Sequence, residues 1–308
     1  MSNSQQYYQP PESHESQIKK TGIWLTVFFF KLAILILLVI IYSQELSKFL
    51  PFSAEKRFTQ PYEQLISHYF NEDHSQHGLV ISTYLTELGS RLAHTMEVPE
   101  DYSVQFHFIN SPSVNAFATL GGHIFVSRGL MNKMPDENSL AFVIAHELAH
   151  IKHRDPVASI GRGLALQMLY SFISGDYSNS DLALEGGEIG LLYFSREQEQ
   201  MADTAAVQAL YTSYQHAGGF DSLFRQLINH EQGRKITREE YHQWREWLST
   251  HPTLDKRITD MLMIIQEKNY NSDGQRTPIP NYVKLSLNSL KNKQDSRGNE
   301  ADSGLKKL

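Results

Sequence analysis

The chain has 308 residues, 28 Lys and Arg against 34 Asp and Glu, and no cysteine. A formal charge of −6 argues against a general nucleic-acid binder, and the missing thiols exclude disulfides, cysteine nucleophiles, thiolate-ligated zinc and iron–sulfur clusters together. With 41% hydrophobic residues the chain can bury a sizeable core.

In chain order, residues 1–22 begin as a polar stretch of Gln and Ser with Pro10 and Pro11, and read as a disordered tail. Ile23 to Tyr42 follows as IWLTVFFFKLAILILLVIIY, 20 residues, enough for about 30 Å of helix. Lys31 is its single charge and costs about 2.5–3.5 kcal/mol near a helix centre. Fifteen Leu, Ile, Val and Phe residues return about 5–9 kcal/mol, so insertion wins. A cleaved signal peptide would need small residues at −1 and −3 of the cut. A cut after Ser43 leaves Ile41 at −3, and a cut after Ala54 leaves Phe52. Residues 23–42 are therefore expected as a single-pass anchor in contact with lipid. Lys19 and Lys20 before it, and Lys48, Lys56 and Arg57 after it, do not fix the orientation. Long domains translocate largely regardless of flanking charge, which permits an N-in, C-out anchor, and an extracytoplasmic (periplasmic) placement of the following domain is the expectation.

The folded domain is assigned to residues 58–270. Leu85, Leu88 and Leu92 at 3–4 spacing predict an amphipathic helix over Leu79–Ala93. Alternation over Val104–Phe108 predicts a strand, and Asn115–Leu120, a Gly121-Gly122 turn and His123–Ser127 predict a pair of strands in a small sheet. Asp136 is placed to cap a helix that runs through the HELAHIKH segment and stops near Asp155-Pro156. Residues 171–190, rich in Ser, Gly and Asp, read as partly mobile. Helices are expected again over Tyr193–Tyr211 and Leu254–Gln266, with Trp244 and Trp247 as core or pocket wall. From Asn271 the chain turns polar, and 271–308 reads as a second disordered tail.

The chemistry is concentrated in His146-Glu147-Leu148-Ala149-His150. Helical spacing i, i+4 puts both imidazoles on one face, one turn apart, where they can ligate one metal ion. Glu147, turned about 100° away, borders such a site without ligating and can take a proton from an activated water. A hydrolytic zinc site needs a third protein ligand and an open position. Glu199 and Asp203 supply another i, i+4 pair downstream. Glu199 is the economical third ligand, with Asp203 accepting a hydrogen bond from a ligand imidazole.

These residues, set in Ser195-Arg196-x-x-Glu199-x-x-Ala202-Asp203, resemble the M48 family of zinc metallopeptidases, in particular its membrane-anchored Oma1-like and BepA-like branch. Ser113 to Ala118 with Gly121-Gly122 resembles the family's edge strand, and Ser249-Thr250-His251-Pro252 with Arg257 resembles its His-Pro segment. Leu120 departs from the proline common before the glycine pair. The resemblance implies a mostly helical α+β zincin domain with a small β-sheet, after one transmembrane helix. It implies one Zn2+ per chain on His146, His150 and Glu199, and Glu147 as general base. It also implies a substrate strand laid along Asn115, Ala116 and Phe117. His251 is expected either to close on the metal as an inhibitory ligand, to stabilise an oxyanion, or to shape a turn.

The expected function is a zinc-dependent endopeptidase acting on membrane-associated or misfolded envelope proteins, with protein substrates, no nucleic-acid partner and oligomerisation left open. Two alternatives stand beside it: a largely latent zinc-binding chaperone or assembly factor, and a membrane-tethered scaffold with a structural zinc.

Overall fold

The computed structural model describes residues 14–70, 72–174, 194–226, 247, 251 and 254–292. Helix α1 covers His14–Ser47, α2 Phe52–Thr59, α3 Glu63–Tyr69 and α4 Gln76–Thr95. Strands β1 (Gln105–Ile109), β2 (Ala116–Thr119) and β3 (His123–Ser127) follow, then α5 (Arg128–Lys133), α6 (Glu137–His153), α7 (Asp155–Ser174), α8 (Arg196–Tyr214) and α9 (Leu254–Glu267). A helix over 281–292, α10, ends the described chain.

The sheet order is β1-β3-β2, with β1 parallel and β2 antiparallel to β3. The β2–β3 turn is made by Gly121 and Gly122 at φ 82° and 80°, a left-handed conformation that favours glycine. Register pairs Phe108 with Val126 and Ala118 with Ile124. These four side chains lie on one face, in the main core with Leu85, Leu88 and Leu92 of α4 and the apolar residues of α6. Period-2 alternation sends Phe117 and Phe125 to the opposite face, where they stack and pack with Ile109 and Phe70. β2 is an edge strand, its far side unpaired by any strand among the described residues.

Helix α6 is buried from Glu137 to Ile151, which explains its apolar character on every face. Asp136 caps it by accepting from Ser139 N at 2.8 Å. Arg154, at φ 66°, ends it and aims its guanidinium at Glu55 of α2. Glu55 also accepts from Gly121 N at 2.7 Å, so α2 ties the end of α6 to the β2–β3 turn. The folded unit thus reaches back to Phe52, earlier than the expected start at residue 58; Phe52, Glu55 and Thr59 are all buried.

Three further expectations are corrected. Helix α1 begins at His14, so residues 14–22 of the expected tail are helical; 1–13 lie outside the described residues. Asp155-Pro156 ends one helix but opens another, because proline is tolerated in a helix's first turn; α7 runs on to Ser174, into the stretch read as mobile. Residues 271–292 are not a disordered tail. Ile279, Val283, Leu287 and Leu290 are buried in the main core, an i, i+4, i+8, i+11 stripe hidden among Asn and Lys, and each such side chain contributes about 1.5–3 kcal/mol. Residues 175–193, Trp244 and 293–308 lie outside the described residues.

Helix α1 includes a candidate membrane span within Gln17–Ser47 and is mostly exposed along its apolar length. Its covered positions, Leu32, Ala33, Ile36, Val39, Ile40, Ser43, Gln44 and Ser47, form one stripe against α7.

Candidate metal centre

Because α6 lies in the core, it presents His146, Glu147 and His150 with no solvent exposure at all. Their Nε2 atoms face each other, His146 to His150, at 3.1 Å. Helix α8 crosses α6 and brings Glu199 between them, 3.6 Å from His146 Nε2 and 3.5 Å from His150 Nε2. The N-terminus of α8 is fixed by a capping box between Ser195 and Gln198. Chain beyond α8 returns His251, whose Nδ1 lies 2.9 Å from Glu199 Oε1, and whose ring packs 4.3 Å from that of buried Trp247. One ligand atom from each of His146, His150, Glu199 and His251 falls within 4.8 Å of the others.

The candidate donors are oriented from behind. Asp203 Oδ1 lies 3.0 Å from His146 Nδ1, and Asp155 Oδ2 lies 2.7 Å from His150 Nδ1. Arg257 donates twice to Asp203, each at 2.7 Å, and its Nη1 lies 2.6 Å from Glu199. Phe194 stacks on the His150 ring at 3.9 Å. Arg257 thus clamps two carboxylates of α8.

The charges of this pocket fit a divalent cation. Asp155, Glu199 and Asp203 set three carboxylates against the one guanidinium of Arg257 in a buried volume. Burial works against ionisation of Glu199, but His251 and Arg257 outweigh it and hold its carboxyl well below the usual range. Burial opposes the charge of Asp203 too, and Arg257 overcomes it. The two imidazoles diverge: burial pushes His146 down to about 4, whereas at His150 the hydrogen bonds to Asp155 and Glu199 outweigh burial and raise it to about 10. The site thus draws positive charge to itself, as a metal-ligand set should. Nitrogen and carboxylate donors without thiolate suit zinc and its first-row neighbours.

Glu147 differs from the four converging residues. Burial raises its pKa, and neither oxygen has a hydrogen-bond partner. His251 Nε2, also unpartnered, is 3.5 Å from Glu147 Oε1. The backbone of Ala118 on β2 lies near enough to favour the charged form of Glu147, which sets the edge strand beside it. Asn115, Ala116 and Phe117 precede that point. Asn115 is buried with an unpartnered Oδ1, while Phe117 points to the opposite face of the sheet.

Sequence reasoning passed over Asp155, Gln198 and Gln44. Asp155 follows His150 by five residues, a legible spacing, but beside Pro156 it signals a helix stop first. Gln44 is 106 positions from His150 in sequence, with no local cue.

A model of the peptidase family M48 matches residues 82–264, more than half of the chain. The beta-barrel assembly-enhancing protease of Yersinia pestis is 26% identical over 196 residues, covering 59% of this chain and 38% of the relative. The mitochondrial metalloendopeptidase OMA1 of Danio rerio is 28% identical over 192 residues, covering 52% and 35% respectively. A protease HtpX homolog of Methanothermobacter thermautotrophicus is 32% identical over 138 residues, covering 40% and 53%. The chain therefore spans well under two thirds of the length of these relatives. The matched segment contains α6, α8, the edge strand and Arg257, so the elements that build the buried His–Glu cluster are those of the family, and the chain belongs to peptidase family M48.

Proposed function

We propose that this chain is a zinc-dependent endopeptidase, tethered to a membrane by α1, that cleaves membrane-associated or misfolded envelope proteins. The observation that carries the reading is the convergence of four buried ligand atoms within 4.8 Å, beside a carboxylate with no hydrogen-bond partner. His146, His150 and Glu199 would hold the zinc. When bound, it supplies Lewis acidity that polarises a peptide carbonyl and lowers the pKa of water. Glu147, its proton affinity raised by burial, takes a proton from the attacking water and returns it to the departing amine. The free edge of β2 can hold an extended substrate by strand addition, in line with the scissile bond at Glu147. Asn115 Oδ1, buried and unpartnered, offers an acceptor for a substrate N–H.

The envelope clause rests on the candidate span in α1 and on a relative named for enhancing β-barrel assembly. An extracytoplasmic domain is part of the same proposal. His251 favours a latent resting state. Its imidazole sits where a fourth ligand would exclude water and substrate, so cleavage would need the His251 segment to move aside. The same proximity supports the runner-up readings, a client-holding factor that seldom cleaves and a scaffold whose zinc is closed by four protein ligands.

Metal analysis with a peptidase assay on the detergent-solubilised full chain decides among them. One zinc per chain, cleavage by wild type and none by Glu147→Gln supports the protease. Equal turnover by Glu147→Gln would sink the mechanism, and zinc without turnover even in His251→Ala would leave the structural site.

A further inference from the structure

Helix α1 does more than run toward a membrane. Its stripe against α7 ends in polar residues, and Gln44 enters the pocket behind His150. The Gln44 amide donates to Asp155 Oδ1 at 2.7 Å and to the carbonyl of His153 at 2.9 Å. Gln198 on α8 donates to the same Asp155 oxygen at 3.0 Å and to Gln44 Oε1 at 2.7 Å. The other Asp155 oxygen accepts a hydrogen bond from His150 Nδ1 at 2.7 Å. Asp155 has no solvent exposure. A carboxylate in that position has no water to turn toward, so protein donors alone set its plane. The plane of Asp155 in turn fixes the tautomer and tilt of His150, leaving Nε2 aimed at Glu199 and His146.

We propose that Gln44 is a positioning residue of the metal centre: the anchor helix completes the hydrogen-bond shell that holds His150 through Asp155. The inference rests on the zinc reading of the site. An apolar side chain at 44 would pack on α7 equally well, and a half-buried amide there without partners would be costly. Gln44 instead uses both its amide nitrogen and its oxygen. Gln198 is the poorer probe, since its Oε1 also accepts from Ser195 N at the cap of α8. The functional consequence is that docking of α1 on α7 and grip on the metal are coupled. A shift of the anchor helix relative to α7 withdraws a donor from Asp155 and loosens His150.

The test compares zinc affinity in detergent-solubilised full-length protein, by competition with a chromophoric chelator. Gln44→Met keeps the volume and removes the donors. Gln44→Leu also removes both donors, with a branched apolar side chain, and serves if the Met variant fails to fold. Ser43→Ala removes a neighbouring contact on the same seam, Arg162 Nε to Ser43 Oγ at 3.3 Å, without touching Asp155. Expected is a 10–100-fold weaker zinc affinity for both Gln44 variants and none for Ser43→Ala. A merely structural role would lower thermal stability without moving the affinity of the folded protein. Unchanged zinc affinity in either folded Gln44 variant, or an equal loss in Ser43→Ala, overturns the proposal. If the wild-type chain takes up no zinc, the metal reading itself has failed.

Discussion

Two histidine–carboxylate clusters belong to opposite sides of the three-stranded sheet. On the α6 side, His146, His150, Glu199 and His251 aim one atom each at a common point, and Asp155, Asp203 and Arg257 orient them from behind. On the other side, Ser67 donates to Glu72, Glu72 meets His107 at 3.0 Å, and His107 Nε2 meets His123 Nδ1 at 3.0 Å. The residue types are nearly the same, but His107 uses both ring nitrogens as links, so the second group is a chain without a focus. Convergence of free lone pairs, rather than the presence of His and Glu, is what makes a metal site.

The sharpest test of that contrast is metal content. His146→Ala is expected to abolish stoichiometric zinc uptake, and His123→Phe to leave it intact; equal losses would erase the distinction. In catalysis the largest effect should come from Glu147→Gln, which retains zinc but loses about 10²–10⁴ in turnover, measured at equal metal content.

Arg257→Met should cost about 3–5 kcal/mol in denaturant unfolding of the metal-free chain, because it strands two buried carboxylates. Zinc should restore part of that loss. His251→Ala should raise basal cleavage, including self-cleavage. A fall of roughly 10²–10³ would instead assign His251 to oxyanion stabilisation.

The smallest effect belongs to the outer chain. Burial, reinforced by the neighbouring His107, pushes the His123 pKa down to about 4. The folded state then binds this proton less readily than the unfolded chain does. Stability from His123 is complete above about pH 6.5 and is lost as pH falls toward 4. Replacing His123 by Gln should flatten that limb of a stability-against-pH curve by about 2–3 kcal/mol. Burial works against ionisation of Glu72, yet the hydrogen bonds from His107 and Ser67 hold it at about 2. Its own contribution disappears only in stronger acid, from about 4.5 down to 2. A curve that is flat in wild type between pH 6.5 and 4 would refute the assignment to His123.

Much of the architecture was legible because it is written in local periods. The i, i+4 spacing puts His146 and His150 on one face and Glu199 and Asp203 on one face, whatever surrounds them. Alternation located the strands, Asp136 marked the start of α6, and the apolar run marked the candidate span. The C-terminal helix was missed because its three core positions, Val283, Leu287 and Leu290, are diluted by Lys, Asn and Ser, so local composition outweighed a 3.6-residue stripe. The helix after Pro156 was missed because proline signals a helix end and a helix start alike.

By itself, then, the sequence determined the two helices that carry the candidate donors, and the family chemistry they resemble, since each depends on neighbours within one or two turns. Only the tertiary structure decided which donors meet. The crossing of α6 and α8 brings Glu199 to the histidines, and Arg257 reaches Asp203 from 54 residues away. Gln44 reaches Asp155 across 111 residues, and nothing local to either marks the pairing. Such contacts are fixed by how buried helix faces pack, and packing depends on the whole core at once.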